Sequence, residues 1–598
     1  MRQVEFSKTS NIFINTGIVA LHRYLNRFQL SNKTFGKIRN ELLPNKLIVE
    51  NENLLNLLEE VYYFMGAEVY NTISLKQKEK MENVYLNEKT GEFHRFPKMN
   101  TYGLTELLTN NAQGTTRQKE NSPKITELQK SKPDTAQKIR DYFETNGLKL
   151  LSKVYLNEPY TKVTYLKLES KYWVEGERKC PLIGEGFKSL VEGQNISPFI
   201  KGLSNFNSFL ESSDKKVSQK ALYTLRFSPA IAMFSYYKGY DSISASFFNS
   251  NNLVNINSLY SDEFFYAKDE MEGWKLPFQR NIKLENFKYS KKNNEDYTLK
   301  SGEDSYSPEE ITFLLIYTFY KKKFKIDFEE PGKIEIDPFE DSPFEKIPIS
   351  LVTFKADKFA STMRPNFYEE YSNFKFIIRL IHLLETNPQN NKKRIPIGEL
   401  WRGLIFKSAR SDAIKDFSKK MMIERKYRSD ILAKLLKGRS ILSDIESLFS
   451  KSYLILIKSK DNDPGRRRYD LLTELLTVYE PTINFGGINM DKSLQQRAIN
   501  LGKSIGQGII NFESPKNDNE KKINAKNGRK YLISMHKARN IVQFREVLIR
   551  IQRKYSIAVA NEIIENLNDS NYIAIKQYAQ ISALNTLNIV LSNQKSDS

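Results

Sequence analysis

Three motifs in this 598-residue sequence have the look of a catalytic or ligand-binding centre, and each lacks a part that the chemistry requires. Gly502-Lys503-Ser504 spells the end of a phosphate-binding loop, whose glycine amides cradle phosphates while the lysine reaches them. That loop needs a glycine five residues before Gly502, and Arg497 stands there, inside a helical pattern. Gly184-Glu185-Gly186 lacks the third glycine of a dinucleotide fingerprint and reads as a turn. The carboxylates Asp327, Glu329, Glu330, Glu335, Asp337, Glu340 and Asp341 could gather a divalent cation. No lysine or histidine accompanies them in nuclease spacing, so they read as a solvated acidic loop. The histidines His22, His94, His382 and His536 show no i,i+4 pairing, and His22 falls on an apolar helix, where a structural role is expected. A single cysteine, Cys180, excludes an intrachain disulfide, a cysteine-rich zinc site and an iron–sulfur cluster. The sequence therefore assigns no catalytic residue, no metal ligand and no cofactor, and the expectation is a protein that is not an enzyme.

What remains is charge. Lys+Arg is 92 against 71 Asp+Glu, a net +21 that calls for a polyanionic partner. The surplus is clustered. Residues 391–440 hold fifteen Lys/Arg against five Asp/Glu, and residues 490–598 hold seventeen against nine. The first cluster offers Lys392, Lys393, Arg394, Arg402, Lys407, Arg410, Arg425, Lys426 and Arg428, with Arg466, Arg467 and Arg468 following on a Pro-Gly turn. Helices with one basic face suit a phosphate backbone, because each neutralised phosphate releases counterions. A merely solvated face and an anionic lipid surface are the competing readings. Gln194 and Asn195, with Asn249 beyond them, form uncharged amide-rich loops that could read base edges, although ordinary turn chemistry accounts for them too.

The elements that must carry these residues change along the chain. Ile12–Leu30 has Ile18, Leu21, Leu25 and Phe28 at helical spacing. Residues 110–135 carry no aromatic residue and read as a flexible insertion. From Lys162 to about Phe354 segments such as Ile243/Ala245/Phe247 alternate as strands do, and 327–348 reads as a surface loop. After 387–396 the period becomes helical, in Ile431/Leu435, Ile441/Ile445/Leu448 and Phe544/Leu548/Ile551 among others, with 461–468 and 479–489 as punctuation. The expected architecture is an α+β N-terminal body followed by an all-α C-terminal helical bundle. Its divisions are a recognition body over 1–390, a basic helical region over 391–480 and a bundle over 490–598. The longest mainly apolar run, Ile311–Tyr320, is too short to span a bilayer, and Met1–Ser10 is polar, so a soluble cytoplasmic protein is expected.

Asn15-Thr16-Gly17-Ile18-Val19-Ala20-Leu21 resembles the opening of the large subunit of type I CRISPR interference complexes (Cascade), in its I-B-like CxxC–CxxC subtype. Cys180-Pro181-Leu182-Ile183-Gly184-Glu185-Gly186 is similar to the family's leucine-glycine stretch after its first CxxC pair. Residues 221–237 resemble its apolar helix and 243–259 the strand and loop that follow. The similarity runs over residues 12 to 270. The two CxxC pairs of the family make a zinc knuckle. Here only Cys180 remains, and none lies around Ser218–Leu225, so packing must replace the metal.

The resemblance implies a non-catalytic subunit in a CRISPR-RNA-guided DNA surveillance complex. It would recognise the protospacer-adjacent motif, help open the duplex, hold DNA backbone and recruit the helicase-nuclease. Its partners would be CRISPR RNA, target double-stranded DNA and the backbone and small subunits of the complex, with no membrane. A nuclease or hydrolase with a scattered active site, or a structural nucleic-acid-binding protein, stands as the alternative. Some members of the family make a separate small subunit from inside the large-subunit gene. Gly486-Gly487 can be encoded as a ribosome-binding sequence two codons ahead of Met490, so Met490–Ser598, 109 residues, is the expected product of such an internal start.

Overall fold

The computed structural model describes residues 2–69, 83–96, 115–117, 123–150, 155–156, 161–163, 166–192, 216–237, 242–260, 281–283, 298–300, 307–324, 348–359, 362–386, 395–406, 415, 423–458, 466–483 and 492–592. The chain forms two compact units. One comprises residues 1–280, 301–303 and 342–370, the other 281–300, 304–341 and 371–598. A mixed α+β region precedes a run of helices, as the change of hydrophobic period predicts. The second unit starts ahead of residue 391, taking in helices from the 304–341 and 371–390 segments.

In the first unit β1 (Gln3–Ser7), β2 (Arg39–Leu42) and β3 (Lys46–Glu50) form an antiparallel sheet in the order β1-β3-β2. Helix α1 (Ile12–Ser31) starts where Asn11 Oδ1 accepts from the Phe13 and Ile14 amides at 2.9 and 3.3 Å, the usual office of an N-cap asparagine. The residues Asn15 to Leu21 of α1 are all buried. Gly17 is required there, since a Cβ would stand 2.2 Å from the Thr224 carbonyl oxygen of a crossing helix. The stretch Asn15–Leu21 is thus a helix-packing surface.

Helix α2 (Leu54–Val69) also packs on α1. Next come the hairpin β4 (Asn83–Leu86)–β5 (Phe93–Phe96) and helices α3 (Ile125–Ser131) and α4 (Pro133–Thr145). They share a small core of Val84, Leu86, Ile125, Leu128 and Ile139. The reading of 110–135 as a flexible insertion fails for residues 125–135: Ile125 and Leu128 are buried, and Pro133 opens α4 at a position where its missing N–H costs nothing.

A second hairpin pairs β6 (Glu175–Lys179) with β7 (Gly186–Phe187). Helix α5 (Gln219–Leu225) covers only part of the single apolar helix that the resemblance implies over 221–237. The chain instead turns at Ser228–Ala230 and continues as β8 (Met233–Tyr237). Pro229 breaks the helical period, having no amide to donate. β9 (Ser242–Ser250) is followed by a helix, α6 (Leu253–Leu259), where the resemblance implies a loop. β8 and β9 join β10 (Ile349–Phe359) and β11 (Thr362–Tyr371) in a four-stranded sheet in that order.

The second unit contains α7 (Pro308–Phe324), α8 (Phe374–Thr386), α9 (Ile397–Gly403), α10 (Lys426–Leu436), α11 (Leu442–Lys458) and α12 (Arg466–Ile483). Then follow α13 (Lys492–Ile510), α14 (Asp518–Asn527), α15 (Arg529–Lys537), α16 (Ile541–Tyr555), α17 (Asn561–Asn566) and α18 (Tyr572–Ser592). Residues 466–468 and 479–483, expected as punctuation, are the two ends of α12, with Pro481 admitted in its last turn.

The chain's last helix is the centre of the bundle. α18 is buried on several sides, through Ile575, Tyr578, Ile581, Leu584 and Leu587, and packs against α11, α12 and α13. Gly502 of α13 lets the two backbones meet, because a Cβ there would lie 2.2 Å from the Ala579 carbonyl oxygen. Gly502→Ala is expected to cost about 1–3 kcal/mol by overpacking, read as a lower denaturant midpoint at constant m-value. Gly502-Lys503-Ser504 therefore sits mid-helix, where no phosphate loop can form. Among the described residues no helix is long and apolar enough to cross a membrane.

Candidate nucleic-acid interface

The first basic cluster divides into cations that face water and cations that hold the core. Arg428 has no exposure at all. Its Nε donates to Glu310 Oε1 at 2.7 Å, and its guanidinium lies 4.2 Å from the centre of the Trp401 ring. Glu310 is 1% exposed and also closes the N-terminus of α7, accepting from the Ser307 amide at 3.1 Å while its own amide donates to Ser307 Oγ at 3.2 Å. Arg425 is buried as well. Neither arginine can meet a phosphate, which corrects their assignment to the nucleic-acid backbone. A buried guanidinium needs a carboxylate and an aromatic face, and here the fold supplies both.

Lys426 is exposed on the first turn of α10. Arg402 falls on α9, and Arg466, Arg467 and Arg468 begin α12 instead of lying in a turn; the side chains of these four are outside the described residues. Three arginines in a first helical turn add positive charge at the positive end of the helix dipole. Lys392, Lys393, Arg394, Lys407, Arg410, Gln194, Asn195 and Met490 lie outside the described residues.

Asn249 is on strand β9 and not in a loop. Its Nδ2 donates to Glu370 Oε1 at 3.3 Å, and Ser350 Oγ donates to the same oxygen at 2.5 Å. A carboxylate beside the amide repels phosphate, so Asn249 is poorly placed to read bases. Its neighbours do turn chemistry: Asn252 Oδ1 accepts from the Asn255 amide at 2.7 Å and caps α6.

The strongest described basic surface is on α15 and α16, where the sequence count did not single out residues. Arg529, Lys530, Lys537, Arg539, Arg545, Arg550, Arg553 and Lys554 are all exposed, and Glu546 is the one acidic residue in 529–555. Arg550 is paired with Glu546 at 3.4 Å. Lys554 Nζ stands 4.1 Å above the Phe512 ring. Arg529, Lys537, Arg539 and Arg553 make no ion pair among the described residues. Val542 (65% exposed) and Ile549 (46%) lie between the cations on α16.

The turn that joins the two helices is held from behind. Tyr572 Oη donates to the Arg539 carbonyl at 2.7 Å and Lys576 Nζ to that of Ala538 at 2.9 Å. Asn540 Oδ1 accepts from the Gln543 amide at 2.9 Å, and Gln543 Oε1 accepts from the Arg539 amide at 2.9 Å. This reciprocal cap fixes the direction in which α16 leaves the turn. A stretch of eight cations to one carboxylate was legible in sequence. Its outward direction was legible too, because Phe544, Val547, Leu548 and Ile551 fall at helical spacing and form the stripe that turns inward.

Cysteine chemistry around Cys180 is that of packing and hydrogen bonding. Cys180 is buried, and its Sγ accepts a hydrogen bond from the Ser218 amide at 3.2 Å, at the N-terminus of α5. The Ser218 amide thus presents a donor where a metal site requires an electron-pair ligand. Among the described residues no group of three or more His, Cys, Asp or Glu is placed to hold a metal. His22 is structural: its Nδ1 lies 2.9 Å from Asn40 Oδ1, and burial holds its pKa below the ordinary value.

Compared with models of known protein families and with curated protein sequences, the chain matches none.

Proposed function

We infer that this chain is a non-catalytic, nucleic-acid-holding subunit of a CRISPR-RNA-guided DNA surveillance complex, its large subunit. The observation that carries the reading is the outward basic surface of α15 and α16, rigidly set by its capped turn. Exposed cations interleaved with Val542 and Ile549 can hold phosphates while the apolar groups touch sugars, a sequence-independent grip. The arginine-led start of α12 and the exposed Lys426 add to it.

Two features support the large-subunit identity. The Asn15–Leu21 stretch is a buried packing face with an obligatory glycine. Cys180, in the stretch that resembles the one after the family's first pair, is bonded by the Ser218 amide, in the region where the second pair would fall. In this reading the protein acts in the cytoplasm. The guide reads the target by base pairing, while the chain reads the adjacent motif, helps part the strands and recruits the helicase-nuclease.

The motif-reading residues in this proposal are Gln194 and Asn195. Replacing both by Ala should remove motif discrimination worth roughly 1–3 kcal/mol per good base contact. Binding of the assembled guide complex to duplexes differing only in the adjacent motif measures it. Equal weakening on every motif, or DNA cleavage by the chain alone, would sink the reading.

An internal start at Met490 completes the proposal. A separate Met490–Ser598 chain would expose the face of α18 that α11 and α12 cover in the full protein, where Asn588 Nδ2 donates to the Phe449 carbonyl at 3.2 Å. Intact mass of the complex expressed from the native gene should show a fragment beginning at Met490. Synonymous recoding of Gly486 and Gly487 together with Met490→Leu should abolish it.

A further inference from the structure

Three carboxylates of this basic protein line one cleft of the first unit. The cleft has a volume of about 670 Å³, within the size range of recognition pockets. One wall is strand β1, with Gln3 and Glu5; the other is the β6–β7 hairpin with Glu175, and Glu185 stands beside β7. Three carboxylates line it against one ammonium, that of Lys220. Lys220 is already engaged: its side chain is 9% exposed and Nζ donates to Glu185 Oε2 at 2.5 Å. Glu5 pairs with Lys46 at 2.9 Å, whereas Glu175 makes no ion pair among the described residues.

The backbone beside these groups has an edge with no described partner strand. β1 is an edge strand, paired with β3 along one side through Gln3↔Glu50 to Ser7↔Lys46, and no described strand pairs with its other side. Such an edge presents amides and carbonyls ready to pair. It is also rigid. Phe6 stacks on Tyr223 at 6.2 Å and meets Trp173 edge-on at 6.3 Å, and Trp173 Nε1 donates to Gln219 Oε1 at 2.8 Å.

We propose that this cleft binds an extended, lysine- or arginine-bearing segment of a partner protein, which pairs with β1 as an added strand. Main-chain hydrogen bonds to β1 supply affinity, and alternate side chains of the added strand reach Glu175 and the Glu5 rim. The carboxylates repel phosphate, so nucleic acid is not the occupant. The inference does not depend on the role assigned to α15 and α16.

The probe is a blocked hexapeptide alternating lysine and threonine, titrated into the full-length chain beside its glutamate–threonine counterpart and lysine amide. Hydrogen exchange over residues 2–8 is followed by mass spectrometry. The lysine peptide should bind, the glutamate peptide should not, and exchange in β1 should slow on binding. Glu175→Lys should weaken binding at least tenfold at unchanged melting temperature, since Glu175 is exposed, and Glu175→Gln should fall between. No binding, equal binding of the two hexapeptides, or lysine amide binding as tightly as the hexapeptide would overturn the proposal. So would binding without slower exchange in β1, or Glu175→Lys without effect.

Discussion

Arg428→Ala is expected to destabilise the protein by about 3–5 kcal/mol, the range for breaking a fully buried ion pair by removing one partner. The Glu310 carboxylate would be left at 1% exposure with its Nε donor gone, and the Trp401 ring would lose the cation on its face. Arg428→Lys should recover only part of the loss, because an ammonium cannot both bond Glu310 and lie flat on the indole. A double replacement, Arg428→Met with Glu310→Gln, should be milder than Arg428→Ala, since no unpaired charge stays buried. Urea titrations of the three variants measure this. An Arg428→Ala variant as stable as the parent, with nucleic-acid binding lost, would instead restore Arg428 to the interface.

Neutralising Lys537, Arg539, Arg545 and Arg553 to Gln is expected to weaken duplex binding on the order of 10³-fold near physiological salt. The log–log salt slope should flatten by about 3.6. Both figures follow from about 0.9 counterions released per phosphate contact, taking one contact for each of the four side chains. Fluorescence anisotropy with duplexes of unrelated sequence, from low to high salt, reads both quantities, and all sequences should suffer alike. The four side chains are exposed, so melting should stay where it was. An unchanged slope would mean that the basic surface of α15 and α16 is only solvated.

The two basic clusters looked alike as sequence and separate in the fold. In residues 423–436 the helical period of Ile431 and Leu435 marks one inward face, and Arg428 lies on it three residues before Ile431. A reader of charge assigns such an arginine to solvent, because a lone buried guanidinium is prohibitively costly. The compensation comes from Glu310, 118 residues earlier in the chain. In α16, by contrast, Arg545, Arg550 and Arg553 avoid the Phe544/Val547/Leu548/Ile551 stripe, so period and charge agree and the outward face was within reach of a closer count.

The amide loops teach the same distinction. Asn252 as a helix cap and Asn249 as a strand residue differ by three positions, and what separates them is pairing. Asn249 stands opposite Ser350 in the sheet and near Glu370, residues a hundred or more positions away. The misread helix over 221–237 has a local cause, since the apolar residues of α5 and β8 run together and Pro229 alone marks the break.

The sequence by itself determined the order of fold classes, the apolar stripe of α1, the exclusion of a cysteine-based metal site and disulfide, and the net charge. All of these are properties of neighbours within a helical turn or of composition. Tertiary structure alone decided that Arg425 and Arg428 are core, that α18 is the centre of the bundle, that Cys180 meets Ser218, and that β1 has beside three carboxylates an edge with which no described strand pairs. Each of those follows from pairings between residues far apart in the chain, and burial and hydrogen bonding exist only once such pairs have formed.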